Sequence, residues 1–86
     1  MLDKIRLALR LTNNMFDEEI ESHIAACRAD LRLAGIRIND ENPLTLHAYT
    51  LWCKAHFGFA DVGEKYLQVY ESLKTPLRLA GDALDE

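Results

Sequence analysis

The sequence predicts an all-α fold: a small bundle of four helices, the last kinked or broken. Three observations carry this. Apolar residues recur at helical spacing in four separate segments. Asn-, Gly- and Pro-containing turns punctuate the chain between them. No alternation of apolar and polar residues runs long enough to build a sheet.

The first helix is expected from Leu2 to about Leu11. Leu2, Ile5 and Leu9 form its stripe, and Leu7 and Leu11 widen the apolar face. Asp3 near the start and Arg10 near the end agree with the helix dipole. Thr12, Asn13 and Asn14 then compete for backbone hydrogen bonds and stop it. The second helix has the clearest pattern. Phe16, Ile20, Ile24, Cys27, Leu31 and Ala34 step by 4, 4, 3, 4 and 3. Asp17, Glu18, Glu19 and Glu21 load its positive end, and Arg28 and Arg32 lie towards its negative end. Gly35 stands where a C′ glycine closes a helix.

Ile36 to Asn42 is a loop in which a short extended piece would fit. Asp40 or Asn42 caps the third helix, with Pro43 in its first turn. That helix runs from Pro43 to about Phe57, and Gly58 ends it. Leu44, Ala48, Leu51, Trp52 and Ala55 form one face, while Leu46, Tyr49, Cys53 and Phe57 cover much of the rest. A helix apolar nearly all round is the enclosed one, covered by its own bundle or by a neighbouring subunit. The fourth helix starts near Asp61 and carries Val62, Tyr66, Val69, Tyr70 and Leu73. Pro76 falls inside the continuing pattern of Leu77, Ala80 and Leu84, so a break is expected near Lys74–Thr75. The small, acidic stretch 81–86 is expected to fray.

The 86 residues make one domain, 1–86, whose single core buries roughly 60–65% of the unfolded surface. Apolar residues make up 49% and charged residues 28%, which excludes a disordered chain. The net charge of −4 argues against a general nucleic-acid binder. No apolar run reaches the ~18–20 residues of a membrane helix, and Met1–Leu11 lacks the uninterrupted core of a signal peptide. Cys27 and Cys53 read as buried free thiols. A disulfide would need their helices to pack together, and a cytosolic setting disfavours it.

Candidate chemistry is sparse. Cys53 and His56 share a helix face, but zinc needs three or four ligands. His47 falls on the opposite side, and Cys27 and His23 could join only through the tertiary fold. The same pair as a nucleophile lacks an orienting group and an oxyanion hole. The acids at 17–21 lack the spacing of a calcium loop, and Gly58 and Gly63 make no phosphate cradle. No catalytic residue, metal or cofactor is therefore expected. The alternative of a small helical DNA-binding regulator is opposed by the long loop before the third helix and by the acidic balance.

Seven stretches in order, "LALRLT" (7–12), "FDEEI" (16–20), "DLRLAGI" (30–36), "NPL" (42–44), "CKAHFG" (53–58), "EKY…YESLK" (64–74) and "LRLAG" (77–81), cover nearly the whole chain. In them it resembles the small head–tail connector proteins of long-tailed phages and prophages, also called DNA-packaging or head-completion adaptors. Asn42 stands where that family more often has Asp, and Pro76 where a helix-compatible residue is more usual. The resemblance implies a non-enzymatic, all-helical virion protein, assembled in the host cytoplasm. It implies a ring of copies, twelve-fold to match the portal protein, that extends the DNA channel without sequence-specific binding. The ring would dock the next head-completion or tail protein. By position, Leu77, Arg78, Leu79 and Leu84 would meet the portal. Trp52, Phe57, Tyr66 and Tyr70 are expected in the core or at a subunit interface.

Overall fold

A computed structural model describes residues 2–57 and 63–84, with side chains described up to residue 79. Its helices are α1 (Leu2–Ala8), α2 (Asp17–Leu33), α3 (Pro43–His56), α4 (Gly63–Ser72) and α5 (Lys74–Leu84). There is no strand among the described residues. The expected small bundle with a broken last helix is what the chain forms, the break falling at Leu73 between α4 and α5.

Helix α1 ends earlier than its apolar pattern. Arg10 adopts φ 61°, and the Leu11 and Arg10 amides donate to the Arg6 and Leu7 carbonyls at 2.9 and 3.0 Å. This paired closure satisfies the last carbonyls before Thr12 is reached. The same closure ends α2. Gly35 has φ 79°, its amide donates to the Arg32 carbonyl, and the Ile36 amide donates to the Leu31 carbonyl, both at 3.0 Å. Gly35 adopts that angle without the steric cost Arg10 incurs.

The α2 stripe is buried at Ile20, Ile24, Cys27 and Leu31, with Phe16 and Ala34 at its less covered ends. At the start of α3, the Asn42 side chain accepts the Leu44 amide at 2.9 Å, and Pro43 occupies the first turn, where no donor is required. Helix α3 packs against α1, α2 and α4, the central position its composition implies. Its deepest residues are Thr45, Ala48, Tyr49, Leu51 and Cys53, whereas Leu44 and Trp52 are only partly buried. The buried face is thus rotated towards Tyr49 and Cys53 from the one expected. Helix α4 begins tightly on α3: a Cβ at Gly63 would stand 3.1 Å from the Ala55 carbonyl oxygen.

Pro76 lies in the first turn of α5. The amide it lacks is one a helix start leaves unpaired anyway. The Leu73 amide bridges the Val69 and Tyr70 carbonyls at 3.2 and 3.1 Å, and the Leu77 amide resumes the ladder onto Leu73 at 3.0 Å. The Gly58 stop, the Asp61 cap and the side chains of the expected frayed tail lie outside the described residues.

Candidate functional site

The groups most able to do chemistry are turned to packing. Cys27 and Cys53 are free and buried. Burial pushes their thiols up to about 12 and about 11, so neither supplies a thiolate near neutral pH. Cys53 is buried while His56, three residues on, is exposed, so the two do not share a pocket. The His56 ring instead joins an aromatic run. It lies 4.5 Å from Trp52 and 5.9 Å from His23, and His23 meets Phe57 edge-on at 5.8 Å. Phe57 in turn meets Phe16 at 5.5 Å. The Nδ1 of His56 is 2.8 Å from the Trp52 carbonyl oxygen. His47 is exposed on α3. No cluster of three or more metal-binding side chains occurs among the described residues. In the acidic stretch, Asp17 is held by Arg6 at 2.7 and 3.1 Å, while Glu18, Glu19 and Glu21 face solvent.

Two polar pins fix the helices around α3. In the first, the Arg28 Nε donates to the Tyr49 hydroxyl at 3.1 Å, and that hydroxyl donates to Asp40 at 2.6 Å. Arg28 also pairs with Asp40. Burial, then the bond to Asp40, pushes the Tyr49 phenol up to about 12. The Tyr49 hydroxyl and the Arg28 guanidinium in turn hold Asp40 below the usual carboxylate range. In the second pin, the Tyr70 hydroxyl donates to Asp30 at 2.6 Å and accepts from the Cys27 thiol at 3.6 Å. Lys74 lies 3.0 Å from Asp30, 2.7 Å from Glu71, and over the Tyr70 ring. Burial raises the Tyr70 phenol strongly. Burial would raise Asp30 too, but Tyr70 and Lys74 outweigh it and hold the carboxyl low.

The phenols and thiols make alkaline pH destabilising. Their folded values lie above the ordinary 10.0 for Tyr49 and 9.0 for the cysteines. A raised group stabilises the fold fully below its unfolded value and loses that contribution as pH rises through the folded one. The melting temperature is therefore expected to fall from about pH 9 upward and most steeply between pH 10 and 12. Thermal denaturation followed across that range checks this. A flat profile to pH 12 would contradict the buried placement of these groups.

The C-terminal residues divide by the face they occupy. Leu77 is 3% exposed and packs in the core. Arg78 donates to the Ala34 carbonyl at 2.8 Å, tying α5 to the end of α2. Leu79 is 64% exposed. Leu84 lies in α5, with its side chain outside the described residues. Of the aromatic candidates, Tyr70 is fully buried, while Trp52, Phe57 and Tyr66 are partly buried against the core. Lys54 lies over the Tyr66 ring at 5.5 Å.

Further apolar side chains stand in solvent at Leu7, Met15 and Leu33. Leu33 was legible as an apolar residue off the α2 stripe. Asp30 had a signal as well: an acid near the negative end of a helix is unfavourable alone, which points to a tertiary cation. Lys74 is that cation.

The described residues thus offer pinned helices, protonated thiols and exposed leucines, and no assembled catalytic constellation. No helix described is long and apolar enough to cross a membrane. Comparison with curated proteins and with solved structures returns no match. The family model described as phage connector protein matches residues 1–83, nearly the whole length, and the chain belongs to that family.

Proposed function

We propose that this protein is a structural ring subunit at the head–tail junction of the virion. Copies sit below the portal of a filled capsid, extend the DNA channel, and dock the next head-completion or tail protein. The observation that carries the reading is the family match across residues 1–83. The surface is compatible with it. Leu7, Met15, Leu33 and Leu79 are available for protein contacts, and a net charge of −4 disfavours tight binding of phosphate as DNA passes. Helix α5 is the proposed portal contact. Its inner side is held by Leu77, while Arg78 and Leu79 reach the surface. Assembly takes place in the host cytoplasm.

Deletion of the gene in the phage or induced prophage that encodes the chain tests this. The expected lysate contains DNA-filled heads and free tails, with infectious titre near background. Joined, infectious particles at the parental level would overturn the reading.

A further inference from the structure

The fold brings together two imidazoles that are remote in the chain. His23 on α2 and His56 at the end of α3 have ring centroids 5.9 Å apart and planes 28° from parallel. Each is braced by an aromatic neighbour: Phe57 meets His23 edge-on at 5.8 Å, and Trp52 lies 4.5 Å from His56. The His56 Nδ1 is 2.8 Å from the Trp52 carbonyl oxygen, which can only accept, so Nδ1 carries the hydrogen. In the neutral ring the lone pair is then on Nε2. Metal-binding histidines are commonly oriented in this way, by donation from the other ring nitrogen to a carbonyl. Glu19 is exposed one turn before His23, on the same face of α2. Helical side chains lean towards the N-terminus, which directs residue 23 towards residue 19. Exposed Glu18 and Glu21 add negative charge to this end of the helix. Cys53, which shares the His56 face by spacing, is buried and takes no part.

We propose that His23, His56 and Glu19 form a surface site for a zinc ion that bridges α2 and α3. Two imidazoles on one zinc ion, each nitrogen ~2.0–2.1 Å from the metal, place their centroids about 5–6 Å apart. The observed spacing therefore needs only rotation of the rings about their own side-chain bonds. Two histidines and a glutamate, with water in the fourth position, complete a tetrahedral zinc set. Glu19 reaches the ion by a rotamer change of an exposed side chain, which disturbs no packing. Imidazole nitrogen favours zinc over magnesium and calcium, which take oxygen ligands. A bound ion clips the first half of α2 to the end of α3, on the side where Phe16 and Phe57 meet. The site rests on this geometry and does not depend on the connector reading.

The test is a zinc chloride titration of the full chain, followed in proton–nitrogen correlation spectra of the histidine rings. The His23 and His56 ring nitrogens are expected to shift together, to saturate at one equivalent and to return when EDTA is added. His47, exposed elsewhere on α3, stays in place. Magnesium chloride moves neither ring. In calorimetric titrations, His23→Gln, His56→Gln and Glu19→Gln each bind zinc about tenfold or more weakly. His47→Gln stays within about twofold of the wild type. His56 and Glu19 are exposed, so their variants keep the fold, and the wild-type spectra need no variant at all. Rings that do not respond to zinc overturn the proposal and leave the pair as packing alone. So does a His47 signal that moves with the other two, an equal response to magnesium, or any of the three variants binding zinc at wild-type strength.

Discussion

Replacing Tyr70 with alanine is expected to remove a large fraction of the protein's stability. The side chain is 1% exposed and joins four elements of the fold. Its ring meets Trp52 edge-on at 5.2 Å, its face receives the Lys74 ammonium at 5.3 Å, and its hydroxyl bridges Asp30 and Cys27. Truncating a buried aromatic costs about 3–5 kcal/mol through lost transfer energy and the cavity left behind. Asp30 also loses a donor. A domain of this size has about 4–13 kcal/mol in total, at ~0.05–0.15 kcal/mol per residue. The melting temperature should therefore fall by about 15–30 °C, since ~1 kcal/mol moves a domain of this size by ~4–8 °C. Tyr70→Phe keeps the ring and removes only the hydroxyl. Lys74 still faces Asp30, so the loss should be about 1–2 kcal/mol. Urea denaturation of both variants separates ring from hydroxyl. A Tyr70→Ala protein within about 1 kcal/mol of wild type would contradict the placement of this side chain at the centre of the bundle.

Leu77→Ala is expected to release α5 while the rest of the bundle stays folded. Leu77 is the buried anchor of that helix among its described side chains. Arg78 and Lys74 add exposed and partly exposed polar ties, to the Ala34 carbonyl and to Asp30. A leucine-to-alanine change in a core costs about 2–5 kcal/mol. Solvent-screened polar ties contribute only about 0–1 kcal/mol each and do not offset that loss. The break at Leu73 lets the loss fall locally, because α5 is joined to α4 through a single residue. Trypsin should then cut after Arg78 much faster than in the wild type, while fragments spanning α1 to α4 persist. Unchanged cleavage would mean that α5 is not held by Leu77. The same variant should present a disordered α5, the segment proposed to meet the portal, which makes it a sharper functional probe than truncation.

The sequence exposed much of this arrangement, and its failures have physical causes. The α2 stripe, the Gly35 stop, the Asn42–Pro43 start and the break caused by Pro76 are local properties, set by residues within a turn of one another. Arg10 has no such marker. A non-glycine residue at φ 61° is imposed by the closure that ends α1, not by its own preference. The face of α3 was ambiguous because a helix apolar on most sides has no periodic minimum, so packing chose Tyr49 and Cys53. The polar pins were hidden for a different reason. Tyr70 and Asp30 lie 40 positions apart, and no short-range pattern pairs them. The assignment of Leu77, Arg78, Leu79 and Leu84 to the portal came from the family likeness, whereas the surplus of apolar surface pointed only to an interface of some kind. The fold gives Leu77, Arg78 and Leu79 three separate tasks that a run of consecutive residues could not distinguish: core anchor, tie to α2, and exposed surface.

The most direct measurement is the fraction of filled heads that carry tails, counted by electron microscopy in lysates lacking this gene. The account predicts a fraction near zero that rises when purified wild-type protein is added to the separated heads and tails. Joined particles at the parental fraction without the protein, or heads that stay tailless after it is supplied, would contradict it.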